Sequence, residues 1–144
     1  MNYFFSIIIP VYNSESVIKD CISSITQQKR TNVEILIVDD NSQDASLKIC
    51  KAAANKNRAI KIYNNKKNLG VSITRNKGIK NAKGKYIIFL DSDDQLYKAT
   101  LAKLEKKIVK DNFPEVVVCK FKHKTYPYTN NVLIKNKIYN TKKP

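Results

Sequence analysis

Paired cysteines, histidines, long apolar runs and acidic residues are all scarce in this 144-residue chain. Its three cysteines, Cys21, Cys50 and Cys119, are odd in number, far apart and in no Cys-x-x-Cys or Cys/His pattern, which argues against a zinc framework and a disulfide scaffold. Cys21 and Cys50 fall on apolar helical positions, where a free thiol packs as a small hydrophobe, and a reducing cytoplasm is the matching compartment. The single histidine, His123, stands among lysines without a catalytic partner and is read as incidental. No apolar run approaches the ~18–20 residues that a membrane span requires. The stretch from Met1 to Pro10 lacks a basic start and a cleavage site, so it is not a signal peptide. Internal repeats and low-complexity linkers are also absent.

Charge of one sign dominates: 27 Lys and Arg stand against 12 Asp and Glu. Residues 1–50 hold 4 basic and 6 acidic residues, a balance of −2, whereas residues 51–144 hold 23 and 6, a balance of +17. The lysines are scattered, with no zinc-finger spacing, RNA-recognition aromatic motif or basic DNA-reading helix, so no nucleic acid is expected as a partner. A lysine-rich solvated surface is the plain explanation. Attraction to an anionic membrane face, as a peripheral contact, or to an anionic ligand is the sharper one.

Short apolar runs alternate with amphipathic stretches, the pattern of an α/β fold with a mostly parallel sheet flanked by helices. Strands are expected at Phe4–Pro10, Val33–Val38, Ile60–Tyr63, Tyr86–Leu90 and Val116–Lys122, with a short one at Val132–Ile134. Helices are expected at Ser14–Gln28, capped by Asn13 or Ser14, at Asp44–Asn55, capped by Ser42, and at Val71–Asn81 and Tyr97–Lys110.

Three polar segments follow strands: Pro10-Val11-Tyr12-Asn13, Asp39-Asp40-Asn41-Ser42 and Asp91-Ser92-Asp93-Asp94. In open parallel sheets, ligands bind beyond the carboxyl ends of the strands where strand order reverses. Crowded carboxylates there are relieved by a hard divalent cation, manganese or magnesium, which takes oxygen ligands and can bridge a diphosphate. One carboxylate of the Asp91-x-Asp93 pair can meet the metal while the other accepts a ribose hydroxyl. A carboxylate of Asp39-Asp40 can accept an N–H from a pyrimidine edge, and Arg75 suits diphosphate oxygens. Taken singly, each segment is also an ordinary turn or cap.

In this order and spacing the segments resemble family 2 glycosyltransferases over Ser6 to about Lys122. The carriers are Ser6–Asn13 with Glu15, Ile35–Ser42 with Asp44, Asn68-Leu69-Gly70 with Arg75–Gly78, and Gly84–Asp94. The resemblance implies a Rossmann-like GT-A fold and transfer of a sugar from a nucleotide-diphospho-sugar, expected to be UDP-linked, to an acceptor hydroxyl with inversion, in glycan or cell-envelope polysaccharide synthesis. It places Pro10, Val11 and Tyr12 along the base and ribose with Glu15 nearby, and Asp40 or Asp39 on the base. Arg75 falls near the base or diphosphate, and Asp91 with Ser92 on the ribose or sugar. It gives the metal to Asp93, with Asp91 and Asp94 in support.

The family's general base comes from a later acidic pair. Beyond Asp94 the chain has only Glu105, Asp111 and Glu115, and none matches. No catalytic base is therefore assigned, and it is expected beyond residue 144. The chain reads as a donor-binding part over residues 1–125, cut short after the acidic cluster, with a Lys/Asn-rich tail at 126–144. Its alternative is a non-catalytic nucleotide-sugar-binding module. A glycan or lipid-linked acceptor is implied, a homo-oligomer is left open, and the place is cytoplasmic, with a peripheral membrane position as the variant.

Overall fold

The computed structural model describes residues 3–121 and 129–135, with side chains through residue 117. Expectations for His123, for the Cys119 side chain and for residues 126–128 and 136–144 lie outside the described residues. The elements run β1 (Phe5–Val11), α1 (Ile18–Thr26), β2 (Val33–Asp39), α2 (Ser46–Lys56), β3 (Ile60–Asn64), α3 (Val71–Asn81), β4 (Tyr86–Phe89), α4 (Thr100–Lys110), β5 (Val116–Phe121) and β6 (Thr129–Lys135). They build one sheet in the order β3-β2-β1-β4-β6-β5. Strands β1 to β4 are mutually parallel, and β6 runs antiparallel to both β4 and β5.

Burial on both faces explains why the central strands read as continuous apolar runs. Ile7, Ile9 and Val11 of β1, with Ile35 and Ile37 of β2 and Ile88, point to the face covered by α1, α2 and α4. There they join Ile18, Cys21, Ile22, Ile25, Cys50, Leu101 and Ile108 in the main core. Ile8, Leu36 and Ile87 point the other way, beneath α3, and form a smaller second core. Both described thiols are buried and free, and burial pushes Cys21 and Cys50 up to about 12, so they pack as protonated, inert groups.

Gly84 shows how tightly the turn from α3 into β4 crosses β1. Its N–H donates to Ser6 Oγ at 2.7 Å. A Cβ there would lie 2.5 Å from Ser6 N and 2.6 Å from Phe5 C, both backbone atoms of the central strand. Gly84→Ala is therefore expected to cost about 1–3 kcal/mol by overpacking, read as a lowered urea midpoint with unchanged slope.

Three helices start later than expected, α1 at Ile18, α2 at Ser46 and α4 at Thr100. Ser14 does not cap α1; its carbonyl accepts Val17 and Ile18 N–H in a preceding turn. Ser42 does not cap α2, whose Ser46 N–H is received by Asp44 Oδ1 instead. Both serines are engaged elsewhere, as described below. The short strand expected at 132–134 is present as β6, longer than expected and inserted between β4 and β5.

Candidate functional site

Strand order reverses at β1, which has β2 on one side and β4 on the other. Strand β4 follows β1 only from Phe5 to Ile8, and a last bond runs from Leu90 N–H to Ile8 O at 3.0 Å. On the other side β1 continues along β2, with Asp40 N–H reaching Val11 O at 2.7 Å. Backbone groups alternate sides along a strand, so residue 10 would aim its N–H toward β4. Proline has none. The chains part at Pro10 and leave a cleft of about 430 Å³ lined by Pro10, Val11, Tyr12, Asp40, Asn68, Gly70, Val71, Thr74, Arg75, Asp91, Ser92 and Asp93. That volume lies within the range of small-molecule sites.

The loops after β1 and β2 are stitched together. Asn13 N–H donates to Ser42 Oγ, Gln43 N–H to Asn13 Oδ1, and Ser14 N–H to Ser46 Oγ. Glu15 N–H donates to Asp44 Oδ2 at 3.0 Å, and Ala45 N–H to Glu15 Oε2 at 2.8 Å. Asn13 and Asn41 adopt positive φ of 47° and 63°, which asparagine tolerates better than most side chains. Glu15 is thus spent on the start of α2 and is not among the cleft residues.

Adjacent aspartates on a strand end point to opposite faces, and this separates Asp39 from Asp40. Asp39 is 1% exposed, accepts Ser42 N–H on Oδ2, and keeps Oδ1 without a partner among the described residues. It does not line the cleft. Asp40 does. Its Oδ1 accepts Asn65 Nδ2 at 2.7 Å and Leu69 N–H at 2.9 Å, and its Oδ2 accepts Gly70 N–H at 2.8 Å. Burial alone would raise this carboxyl, but those donors together with the Thr74 hydroxyl outweigh it and hold it below the usual carboxylate range. Gly70, at φ +84°, opens α3, a conformation that disfavours any side chain. Asn65 also donates to Thr74 Oγ1 and accepts Lys77 Nζ, so one buried amide ties the 65–70 loop to α3.

Across the cleft, Arg75 Nη2 lies 2.5 Å from Asp91 Oδ1, while its guanidinium sits over the Phe89 ring. Arg75 Nε is buried and has no partner among the described residues. Ser92 Oγ meets Ser14 Oγ at 2.8 Å, joining the acidic turn to the loop after β1. Asp94 N–H closes that turn on Asp91 O. The exposed Asp93 carboxylate has no hydrogen-bond or ion-pair partner among the described residues.

Of the residues expected from sequence, Pro10, Val11, Tyr12, Asp40, Arg75, Asp91, Ser92 and Asp93 share one cleft, whereas Glu15, Asp39 and Asp94 are not in its lining. Asn65 and Thr74 were not singled out by the sequence, and Asn68, Gly70 and Val71 entered it only as carriers of the resemblance or as the start of a helix, without a place in the site. Asn65 and Thr74 carry a faint signal, a polar pair flanking a loop whose other side chains are mostly solvated. Glu105 is paired with Arg30 and accepts Asn32 Nδ2, and Asp111 is paired with Lys107, so neither faces the cleft. No group of three His, Cys, Asp or Glu side chains gathers as a metal cage among the described residues. A hard cation with an exposed carboxylate as its protein ligand keeps most positions for phosphate and water, as magnesium commonly does. The oxygen-only donors here fit that arrangement.

A sheet whose four strands β1 to β4 are parallel, with an acidic crevice at its reversal point, agrees with the GT-A class of glycosyltransferase folds to which the structural matches assign it. The match of the glycosyl transferase family 2 model to residues 6–144 makes the chain a member of that family. Glycosyltransferase GlyA of Streptococcus pneumoniae serotype 4 is 41% identical over 104 residues, covering 72% of this chain and 15% of GlyA. The crystal structure of S. aureus TarS 1–349 in complex with UDP-GlcNAc superimposes with a TM-score of 0.78 at 34% identity, over 83% of this chain and 34% of TarS. Mannosyltransferase PcManGT from Pyrobaculum calidifontis, solved with GDP-Man and Mn2+, shares the fold at a TM-score of 0.75 and 22% identity, over 85% of this chain and 36% of PcManGT. The chain therefore spans a minor part of these relatives' length. No helix among the described residues is long and apolar enough to cross a membrane.

Proposed function

We propose that this chain binds the donor of a family 2 glycosyltransferase, a UDP-sugar held with manganese or magnesium. The carrying observation is that Asp40, Arg75, Asp91 and Asp93 meet on one cleft at the sheet's reversal point. A carboxylate offers about four lone-pair directions. Three on Asp40 are taken by Asn65, Leu69 and Gly70, and with the Thr74 hydroxyl donating to Gly70 O the last one, on Oδ2, is open to a base N–H. An anionic acceptor there suits uracil, whose N3 carries a proton, and opposes cytosine, whose N3 does not. Pro10, Val11 and Tyr12 wall the base. Asp91 takes the ribose or sugar side, and the free Arg75 Nε–H turns to the diphosphate. Asp93 holds the cation with Asp94 behind it, and the bound cation would neutralise the leaving diphosphate. The TarS complex with UDP-GlcNAc supports this donor class.

Titration calorimetry with UDP, with and without manganese, tests the reading. Metal is expected to strengthen binding, and Asp93→Asn to remove about 10–100-fold of that affinity, the scale of perturbing a metal site. No heat at all, or heat unchanged by Asp93→Asn, rejects the assignment.

A second reading, a nucleotide-sugar-binding module without transfer, is favoured by the engagement of Glu105 and Asp111 away from the cleft. Sustained transfer from a UDP-sugar by this chain refutes it. Transfer with inversion needs a base to take the acceptor proton, worth ~10²–10⁴ in rate. A cytoplasmic place belongs to the same proposal, with which the free cysteines Cys21 and Cys50 agree.

A further inference from the structure

Helix α4 carries two opposed stripes. Leu101, Leu104 and Ile108 face the core. Lys103, Lys106, Lys107 and Lys110 recur at i, i+3, i+4 and i+7, and all four are exposed. That spacing places like charges beside one another along the whole outer face, an arrangement that mildly destabilises a helix. The two acids nearby do not neutralise it: Glu105 is committed to Arg30, and Asp111 to Lys107 alone. The helix C-terminus favours Lys107 and Lys110 in the last turn. It does nothing for Lys103 and Lys106, which stand earlier.

We infer that the outer face of α4 is a docking surface for an anionic lipid bilayer. An 11-residue helix, ~16 Å long, lays its ammonium groups along one line on the surface, a shape matched to a flat sheet of phosphates. The stripe holds lysine and no arginine, hence point charges without the planar fork that favours nucleic-acid recognition. Tyr97, 64% exposed just ahead of the helix, adds an amphipathic ring at headgroup depth. None of these residues lines the cleft, so the surface stands independently of nucleotide binding.

Co-sedimentation with vesicles of phosphatidylcholine plus phosphatidylglycerol, beside vesicles of phosphatidylcholine alone, tests this. The chain is expected to bind the anionic vesicles and to be released by salt. The triple variant Lys103→Gln, Lys106→Gln, Lys110→Gln is expected to lose about a hundredfold in partition. A control with the same loss of charge on α2, Lys48→Gln, Lys51→Gln, Lys56→Gln, is expected to keep most of its binding. Equal binding to neutral vesicles, or equal loss in both triple variants, overturns the surface. It is also overturned if the α4 variant keeps its vesicle binding but loses affinity for single-stranded RNA. UDP calorimetry on the same variants is expected to stay unchanged, so failure here leaves the donor-site reading intact, and the reverse.

Discussion

Asp40→Asn is expected to weaken UDP binding by about 100-fold and to loosen the 65–70 loop, although the change replaces one oxygen by one nitrogen. Three donors converge on this carboxylate: Asn65 Nδ2, Leu69 N–H and Gly70 N–H. An asparagine offers a single oxygen, so its amide must turn hydrogens toward at least one of those donors. Leu69 and Gly70 are exposed and can turn to water, but the Asn65 amide is buried and cannot. Losing charged hydrogen bonds at ~1.5–3 kcal/mol each, with partial rescue by water, gives a stability loss of about 2–4 kcal/mol. The affinity loss follows from the same range applied to the bond left for the base, about tenfold per 1.4 kcal/mol. The base preference supplies a sharper readout. An asparagine NH₂ can donate to cytosine N3, so the UDP-over-CDP ratio from competition calorimetry should fall or invert in Asp40→Asn. An unchanged ratio removes Asp40 from base reading. The group is held below the usual carboxylate range, so the wild-type preference should persist down to about pH 4, near an ordinary aspartate value.

The strands were legible because burial on both faces writes an uninterrupted apolar run into β1 and β2, and the turn residues after them mark where the runs stop. Convergence of the three polar segments followed from topology, since parallel strands send their carboxyl ends to one edge. What sequence could not resolve was the use of each polar atom within that edge. Ser14 and Ser42 carry a cap signature, yet their hydroxyls serve Ser92 and Asn13 across the loops, because tertiary partners competed successfully with the local helix end. Glu15 looked like a ligand residue and became an acceptor for Ala45 N–H. Asn65 was unreadable for a related reason. Its neighbours are lysines and asparagines of a solvated loop, and its burial depends on Asp40, 25 positions earlier. The separation of Asp39 from Asp40 needed only strand alternation and could have been drawn from the sequence. Ile35 and Ile37 share the Asp39 face, and Leu36 shares the Asp40 face.

Away from the cleft, Glu34→Ala is expected to lower stability toward the lower part of the ~3–5 kcal/mol range for breaking a buried ion pair, since Lys61 remains partly in water. Glu34 is fully buried on β2, directly across from Ser6 of β1. Its Oε1 accepts Ser6 Oγ and Lys83 N–H, both at 2.6 Å, and its Oε2 takes Lys61 Nζ at 2.7 Å. Burial would raise this carboxyl, but the Lys61 ammonium and the Ser6 and Lys83 donors prevail, leaving it lowered, while Lys61 is raised by the same contact. The sign of the pH dependence follows. A lowered carboxyl contributes stability above the unfolded glutamate value of ~4.3 and loses it as pH falls through its folded value. A raised lysine contributes below the unfolded value of ~10.4 and loses it as pH climbs through its folded value. Wild-type urea midpoints should therefore be level in this respect across neutral pH and fall at both ends. Glu34→Gln keeps the shape and an acceptor for Ser6, so its cost at neutral pH should be smaller than that of alanine. Its acid limb should flatten, because the titrating group is gone. If Glu34→Gln retains the full wild-type slope below about pH 4, another carboxylate governs acid unfolding and the Glu34 network is not its origin.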